Sequence, residues 1–228
     1  GPALVFLPGY MSDMAGSQAG AVFDWAVANG RACLLLDYSG CGESAGENRG
    51  GDFAEGTLSR WREEVLALIA ARCPGKVVLI GSSMGGWLML LAGLALGERL
   101  VGLIGIAAAP DFTEWGFDDA QKALLARGET VLEDNPYGPD PTPTHAGFWR
   151  DGQANLVLSG AIPIDCPVRL LQGQADPDVP WETALRLSAA LRSADVQTIL
   201  VKDGDHRLSR DRDIALLLQT IAALPALA

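Results

Sequence analysis

Histidine and cysteine are scarce in this chain, with two and four residues respectively among 228. No two of Cys33, Cys41, Cys73 and Cys166 stand in CxxC spacing, and two histidines offer too few co-ligands for a zinc centre. In a chain this long the four read as reduced, mostly buried thiols from a reducing compartment. Cys41, in a glycine-rich loop, is the one best placed to face solvent. Positive charge is also scarce: 17 Lys and Arg stand against 28 Asp and Glu, a net charge of −11. That balance argues against nucleic acid or an anionic membrane surface as a partner. Residues 77–97 carry no charge and match a membrane span in length, but the glycine-rich turn at 81–86 would break a lipid-exposed helix. No signal or transit segment, internal repeat or low-complexity tract is visible; Gly1-Pro2-Ala3-Leu4-Val5 runs straight into a strand pattern, and the expected location is cytoplasmic.

What is present is apolar and ordered. Hydrophobic residues make up 49% and charged residues 20%, the balance of a globular chain, and the length fits one domain spanning 1–228. Strand-like runs at Leu4–Leu7, Ala32–Leu36, Val77–Ile80, Leu103–Ala107, Val168–Leu171 and Thr198–Val201 alternate with helical stretches at Ala15–Asn29, Leu58–Arg72, Trp87–Leu96, Glu182–Leu191 and Asp213–Leu224. This alternation predicts an α/β fold: a mostly parallel sheet covered by helices on both faces. Residues 111–165 break the rhythm. They are rich in Pro, Gly and Trp and too long for a structureless loop, so they read as a lid inserted before the strand that leads to Asp176. Helices are expected near 120–127 and 147–158, with 135–143 extended or mobile.

The chemistry is carried by Gly81-Ser82-Ser83-Met84-Gly85, set between the run Val77–Ile80 and the apolar segment from Trp87. A strand, a Gly-x-Ser-x-Gly turn and a helix in that order form a nucleophile elbow. The register selects Ser83 over Ser82, because Ile80 holds the glycine position that Ser82 would need. A serine hydroxyl needs a general base, and His206, after the last strand, suits that role better than His145 in the inserted segment. Asp176, following the strand Val168–Leu171, is the expected orienting carboxylate, with Asp178 its rival and a helix-start residue by default; Asp203 and Asp205 are weaker candidates. The order Ser…Asp…His differs from those of chymotrypsin and subtilisin. Two N–H groups should face the developing oxyanion. One is expected from Met84, which follows the nucleophile, and the other from Tyr10, after Gly9, with Met11 the fallback for the second. Met11 and Trp87 are expected to line a substrate pocket. The loop Asp37–Ser44 has glycines but neither a Walker lysine nor a complete dinucleotide fingerprint, and reads as a structural loop beside the elbow.

On Phe6-Leu7-Pro8-Gly9-Tyr10, Asp37-Tyr38-Ser39-Gly40, Gly81 to Leu90, Cys166 to Leu171, Asp176 to Trp181 and Asp205-His206-Arg207, the chain resembles the α/β-hydrolase superfamily over nearly its whole length. It is most similar to the branch that contains a mitochondrial depalmitoylase and acyl-glucuronide esterase. The resemblance implies an eight-stranded sheet, a Ser–His–Asp triad, and hydrolysis of esters or thioesters with apolar acyl groups. By position that triad is Ser83, Asp176 and His206. The chain begins at what would be the third strand of the family, so the first two strands are expected to be absent or shortened, and the targeting segment of the branch is not visible.

The expectation is therefore a serine esterase or thioesterase acting through an acyl-enzyme on a small-molecule acyl substrate. It calls for no cofactor and no metal, no stable membrane insertion, and a monomer or homodimer. The alternatives are a small peptidase or amidase, using Glu114, Asp118 and Asp119 to hold a substrate amine, and a ligand-binding protein that has lost catalysis.

Overall fold

The computed structural model describes residues 1–227. In chain order the elements are β1 (Ala3–Leu7), α1 (Ser17–Ala28), β2 (Cys33–Leu34), α2 (Leu58–Arg72), β3 (Val77–Ser82), α3 (Met84–Leu96) and β4 (Leu100–Ile106). The inserted segment follows with α4 (Phe112–Trp115), α5 (Asp119–Ala126), β5 (Val131–Glu133), β6 (Thr142–Thr144) and α6 (Ala146–Ala154). The chain then returns to the sheet through β7 (Val168–Gly173), α7 (Glu182–Ala190), β8 (Val196–Val201) and α8 (Asp211–Ala222).

The main sheet has the order β2-β1-β3-β4-β7-β8, and every pairing in it is parallel. Successive strand residues point to opposite faces, and both faces are dry. Val5, Leu7, Val77, Leu79, Leu103, Val168 and Leu170 pack with Trp61, Val65 and Ile69 of α2 and the apolar α3. Leu4, Phe6, Val78, Ile80, Ile104 and Leu171 pack with Ala19, Val22 and Ala26 of α1 and Leu217 and Ile221 of α8. The strand order reverses at β1 and β3, so the loops leaving their C-terminal ends diverge and open a crevice. Gly9, Tyr10 and Ser83 stand at its mouth.

Several expectations need correction. The strand expected at 32–36 pairs only at Cys33 and Leu34. It is an edge strand with one neighbour, and its neighbour β1 runs into Pro8, which has no N–H to give. The main sheet has six strands among the described residues, one at each of the six apolar runs, as expected of the family's eight with the first two absent; unforeseen is the separate antiparallel hairpin of β5 and β6 in the insertion. Pro143 sits on that two-stranded edge, where a missing donor is tolerated. The helix expected at 147–158 ends at Ala154. Beyond it the N–H groups of Val157 and Leu158 donate instead to the buried Asp111 carboxylate, both at 2.8 Å, which draws the two ends of the insertion together. The helix expected from Trp87 starts at Met84, directly after the elbow.

Candidate active site

The turn after β3 is forced by contacts as much as by propensity. Ser83 has φ 54° and ψ −119°, a conformation that side-chain-bearing residues rarely adopt. It is held there by its own N–H donating to Ile106 O at 2.9 Å and by its carbonyl accepting from Gly86 and Ala109 at 2.8 and 3.0 Å. A Cβ on Gly81 would lie 2.3 Å from Gly85 O, and one on Gly85 would lie 2.0 Å from Leu7 O. The glycines of the motif are thus fixed by the packing of β1, β3 and α3 against one another. Ser83 sits at the N-terminal end of α3, where the first-turn N–H groups have no intrahelical acceptor and the helix dipole favours negative charge.

His206 bridges Ser83 and Asp176. Its Nε2 lies 3.0 Å from Ser83 Oγ and its Nδ1 lies 2.9 Å from Asp176 Oδ2. An ionised carboxylate only accepts, so Nδ1 carries the proton and Nε2 presents a lone pair to the serine hydroxyl. Burial opposes charge on His206, but the hydrogen bond and charge of Asp176, with Asp178 and Asp205 nearby, outweigh it and hold the imidazole above its ordinary value. Burial likewise opposes charge on Asp176. The hydrogen bond and charge of His206 and the N–H groups of Val179 and Asp178 overcome it, so the carboxyl stays below the usual aspartate value. Those N–H groups donate to Asp176 Oδ1 at 3.0 and 2.8 Å.

The rival residues are engaged elsewhere. Asp178 accepts from the Tyr137 hydroxyl at 2.7 Å, and α7 begins only at Glu182 with Trp181 at its N-cap position, so Asp178 is not a helix-start residue. Asp205 accepts from the Leu208 N–H, and Asp203 pairs with Arg210. His145 precedes α6, and its Nδ1 lies 3.0 Å from Thr130 Oγ1 instead of meeting the serine. Glu114 pairs with Lys122 and Asp118 caps α5. Neither they nor Asp119 line the cavity, so these three are not placed to hold a substrate amine there; the carboxylates that do line it are Asp13, Glu133, Asp134 and Asp178.

A cavity of about 770 Å³ opens over Ser83 and His206. Gly9, Tyr10, Met11, Phe112, Trp115 and Phe117 supply its apolar wall, and Tyr137, Thr142 and Thr144 of the insertion close one side. Met11 is 48% exposed and lines this cavity as expected. Trp87 does not, and that expectation is corrected: it is fully buried, its Nε1 donates to Asn155 O, and it packs edge-on against Phe112. Trp87 supports the pocket wall from behind. Met84 keeps its side chain in the core and opens α3 directly after Ser83. Tyr10 is held by its hydroxyl donating to Pro143 O at 2.8 Å, which ties the loop after β1 to the insertion. The buried Tyr38 hydroxyl donates to Pro8 O at 2.9 Å and steadies the same loop. The Asp37–Ser44 loop is braced by the Asp37 carboxylate, which accepts from Met14 and Glu43 at 2.7 and 2.9 Å. Cys41 in that loop is buried, against expectation, and burial first, then the carboxylates nearby, push its thiol up to about 12.

Residues 4–223 match the family model described as the alpha/beta hydrolase family. The chain belongs to that family. Among curated relatives it is 37% identical, over 96% of its length and 72% of theirs, to the palmitoyl-protein thioesterase ABHD10, mitochondrial, of Homo sapiens. The structure of alpha/beta hydrolase domain-containing protein 10 from mouse superposes with a TM-score of 0.87 at 38% identity, covering 98% of this chain and 89% of that one. A crystal structure from Agrobacterium vitis S4 superposes with a TM-score of 0.91 at 42% identity, covering 98% and 87%. No helix among the described residues is long and apolar enough to cross a membrane. The relatives are mitochondrial by name, so they lend the expected cytoplasmic location no support.

Two contributors were not foreseen. Gln172, at the end of β7, donates to Asp176 Oδ2 at 3.1 Å. Tyr137, in the insertion, holds Asp178 while the Arg207 guanidinium lies 4.4 Å over its ring. Neither belongs to a motif; only the fold brings them to the site.

Proposed function

We propose that this hydrolase cleaves acyl thioesters and oxyesters with apolar acyl groups through an acyl-enzyme on Ser83. The observation that carries this reading is the single line of hydrogen bonds Asp176–His206–Ser83. His206 Nε2 takes the hydroxyl proton as Ser83 Oγ attacks the acyl carbonyl. Asp176 keeps the imidazole in the competent tautomer and stabilises the imidazolium. The proton then passes to the leaving thiol or alcohol, the acyl group stays on Ser83, and water, activated by the same imidazole, releases the acid. The N–H groups of Met84 and Tyr10 are the donors for the tetrahedral oxyanion, one at a helix start and one on a loop braced by Tyr38 and Pro143.

The cavity size falls in the range of about 300–1,000 Å³ typical of small-molecule sites, and its aromatic wall suits an apolar acyl group. The names of the curated relatives support a thioester among the substrates. Residues 111–165 act as a lid over the acyl site, anchored at Asp111 and at the Tyr10–Pro143 and Tyr137–Asp178 hydrogen bonds.

Initial rates on matched oxyesters and thioesters, from acetyl to palmitoyl, test the reading. A chain-length optimum is expected, and Ser83→Ala should lower kcat/KM by about 10⁴-fold or more. Folded protein that turns over none of these esters would overturn the proposal.

A further inference from the structure

Gln172 is fully buried, and the hydrogen-bond geometry leaves its amide one orientation. Its Nε2 faces three acceptors: Asp176 Oδ2 at 3.1 Å, Gly173 O at 3.1 Å and Val179 O at 3.5 Å. With the NH₂ held there, the buried amide oxygen meets no hydrogen-bond donor among the described residues. A buried acceptor left unpaired is a cost that an apolar side chain of the same size would avoid. The fold keeps it at the residue that touches the acid.

We infer that Gln172 is a positioning residue that completes the donor set of Asp176 and thereby sets how strongly His206 holds a proton. An ionised carboxylate offers about four lone-pair sites. On Asp176 these are filled by the N–H groups of Asp178 and Val179 at Oδ1, and by His206 Nδ1 and Gln172 Nε2 at Oδ2. Gln172 therefore shares the very oxygen that holds the imidazole. Its N–H draws negative charge from that oxygen and fixes the rotation of the carboxylate. Without it Oδ2 becomes a stronger acceptor toward His206 and the carboxylate is freer to turn. The first effect raises the proton affinity of the imidazole; the second lowers the fraction of time that Nε2 faces Ser83.

The other groups facing this pair are unchanged by a substitution at Gln172. Asp178 and Asp205 act on His206, and Tyr137 and Arg207 lie over Asp178 on the insertion side. The inference rests on His206 being the base. It is tested in the 228-residue chain with Gln172→Met, which keeps the side-chain length but has no donor, by following kcat/KM against pH on an acyl thioester. The acidic limb, where His206 must lose its proton, is expected to move up by about one pH unit and kcat to fall about tenfold, with KM unchanged, on the scale of one lost hydrogen bond to a charged group. If the methionine variant does not fold, Gln172→Leu is the second variant. A folded variant with lower Tm but an unmoved limb and unchanged kcat would overturn the inference and leave Gln172 a packing residue. A wild-type profile without an acidic limb would instead remove the base assignment, and this inference with it.

Discussion

Ser83, His206 and Asp176 divide the chemistry by their surroundings. The serine is presented to the cavity by a strained turn, the imidazole is oriented by a carboxylate, and the carboxylate is kept ionised by His206 and the N–H groups of Val179 and Asp178. Asp176→Asn should lower kcat by about 10⁴-fold because the imidazole then loses its competent tautomer. Asp178→Asn should stay within about threefold of wild type, as expected for an exposed charge that only influences the site from outside. Rates on a thioester decide both, and reversed effects would exchange the two aspartates. His206 is held above its ordinary 6.5 and must be neutral to accept the serine proton. Activity should therefore be lost as pH falls through that raised value, and a limb well below 6.5 would contradict the assignment. The meeting of these three residues was legible because each stands at a strand end in a recognisable order. Gln172 was not legible, since a glutamine ending a strand has no motif. Trp87 was misread because α3 is apolar all round, and no stripe shows which face meets the pocket.

Elements explain why the motif has its glycines and why the insertion stays over the site. A Cβ on Gly85 of α3 would lie 2.0 Å from Leu7 O of β1, so Gly85→Ala should cost more than about 3 kcal/mol, in the tail of single-substitution effects. Its thermal or urea melt would show this, and a wild-type melt would mean that the packing relaxes. Tyr137→Phe keeps the ring under Arg207 and removes only the bond to Asp178. Amide exchange across 131–144 should then accelerate while β3 and β7 stay protected; unchanged exchange would mean that this bond does not anchor the insertion. The long helices and inner strands were readable from periodicity, which tolerates a residue or two of slip at the ends. β2, pairing on one side only, and the β5–β6 hairpin, built around prolines, were not readable. Their pairing depends on partners distant in sequence.

Across the whole molecule the two-faced parallel sheet carries most of the apolar burial, and this was visible in the alternation of apolar runs and helical stretches. The six strands of the main sheet were visible as well, each falling on one of the apolar runs; what the runs did not show was how far each strand pairs, as in the two-residue β2. Leu79, buried at the centre of β3, should cost about 2–5 kcal/mol on truncation to Ala, whereas Leu94, 38% exposed on α3, should cost less than about 1 kcal/mol. Equal costs in denaturant titrations would contradict this placement of the core. The central claim concerns the whole assembly of fold, elbow and triad: an acyl group passes onto Ser83 and is then released to water. The most direct measurement is mass spectrometry of the protein quenched during turnover of an acyl thioester. The account predicts a transient mass increase equal to the acyl group, mapped to the peptide containing Ser83 and absent in Ser83→Ala. Turnover that persists in Ser83→Ala, or an adduct mapped to another residue, would contradict it.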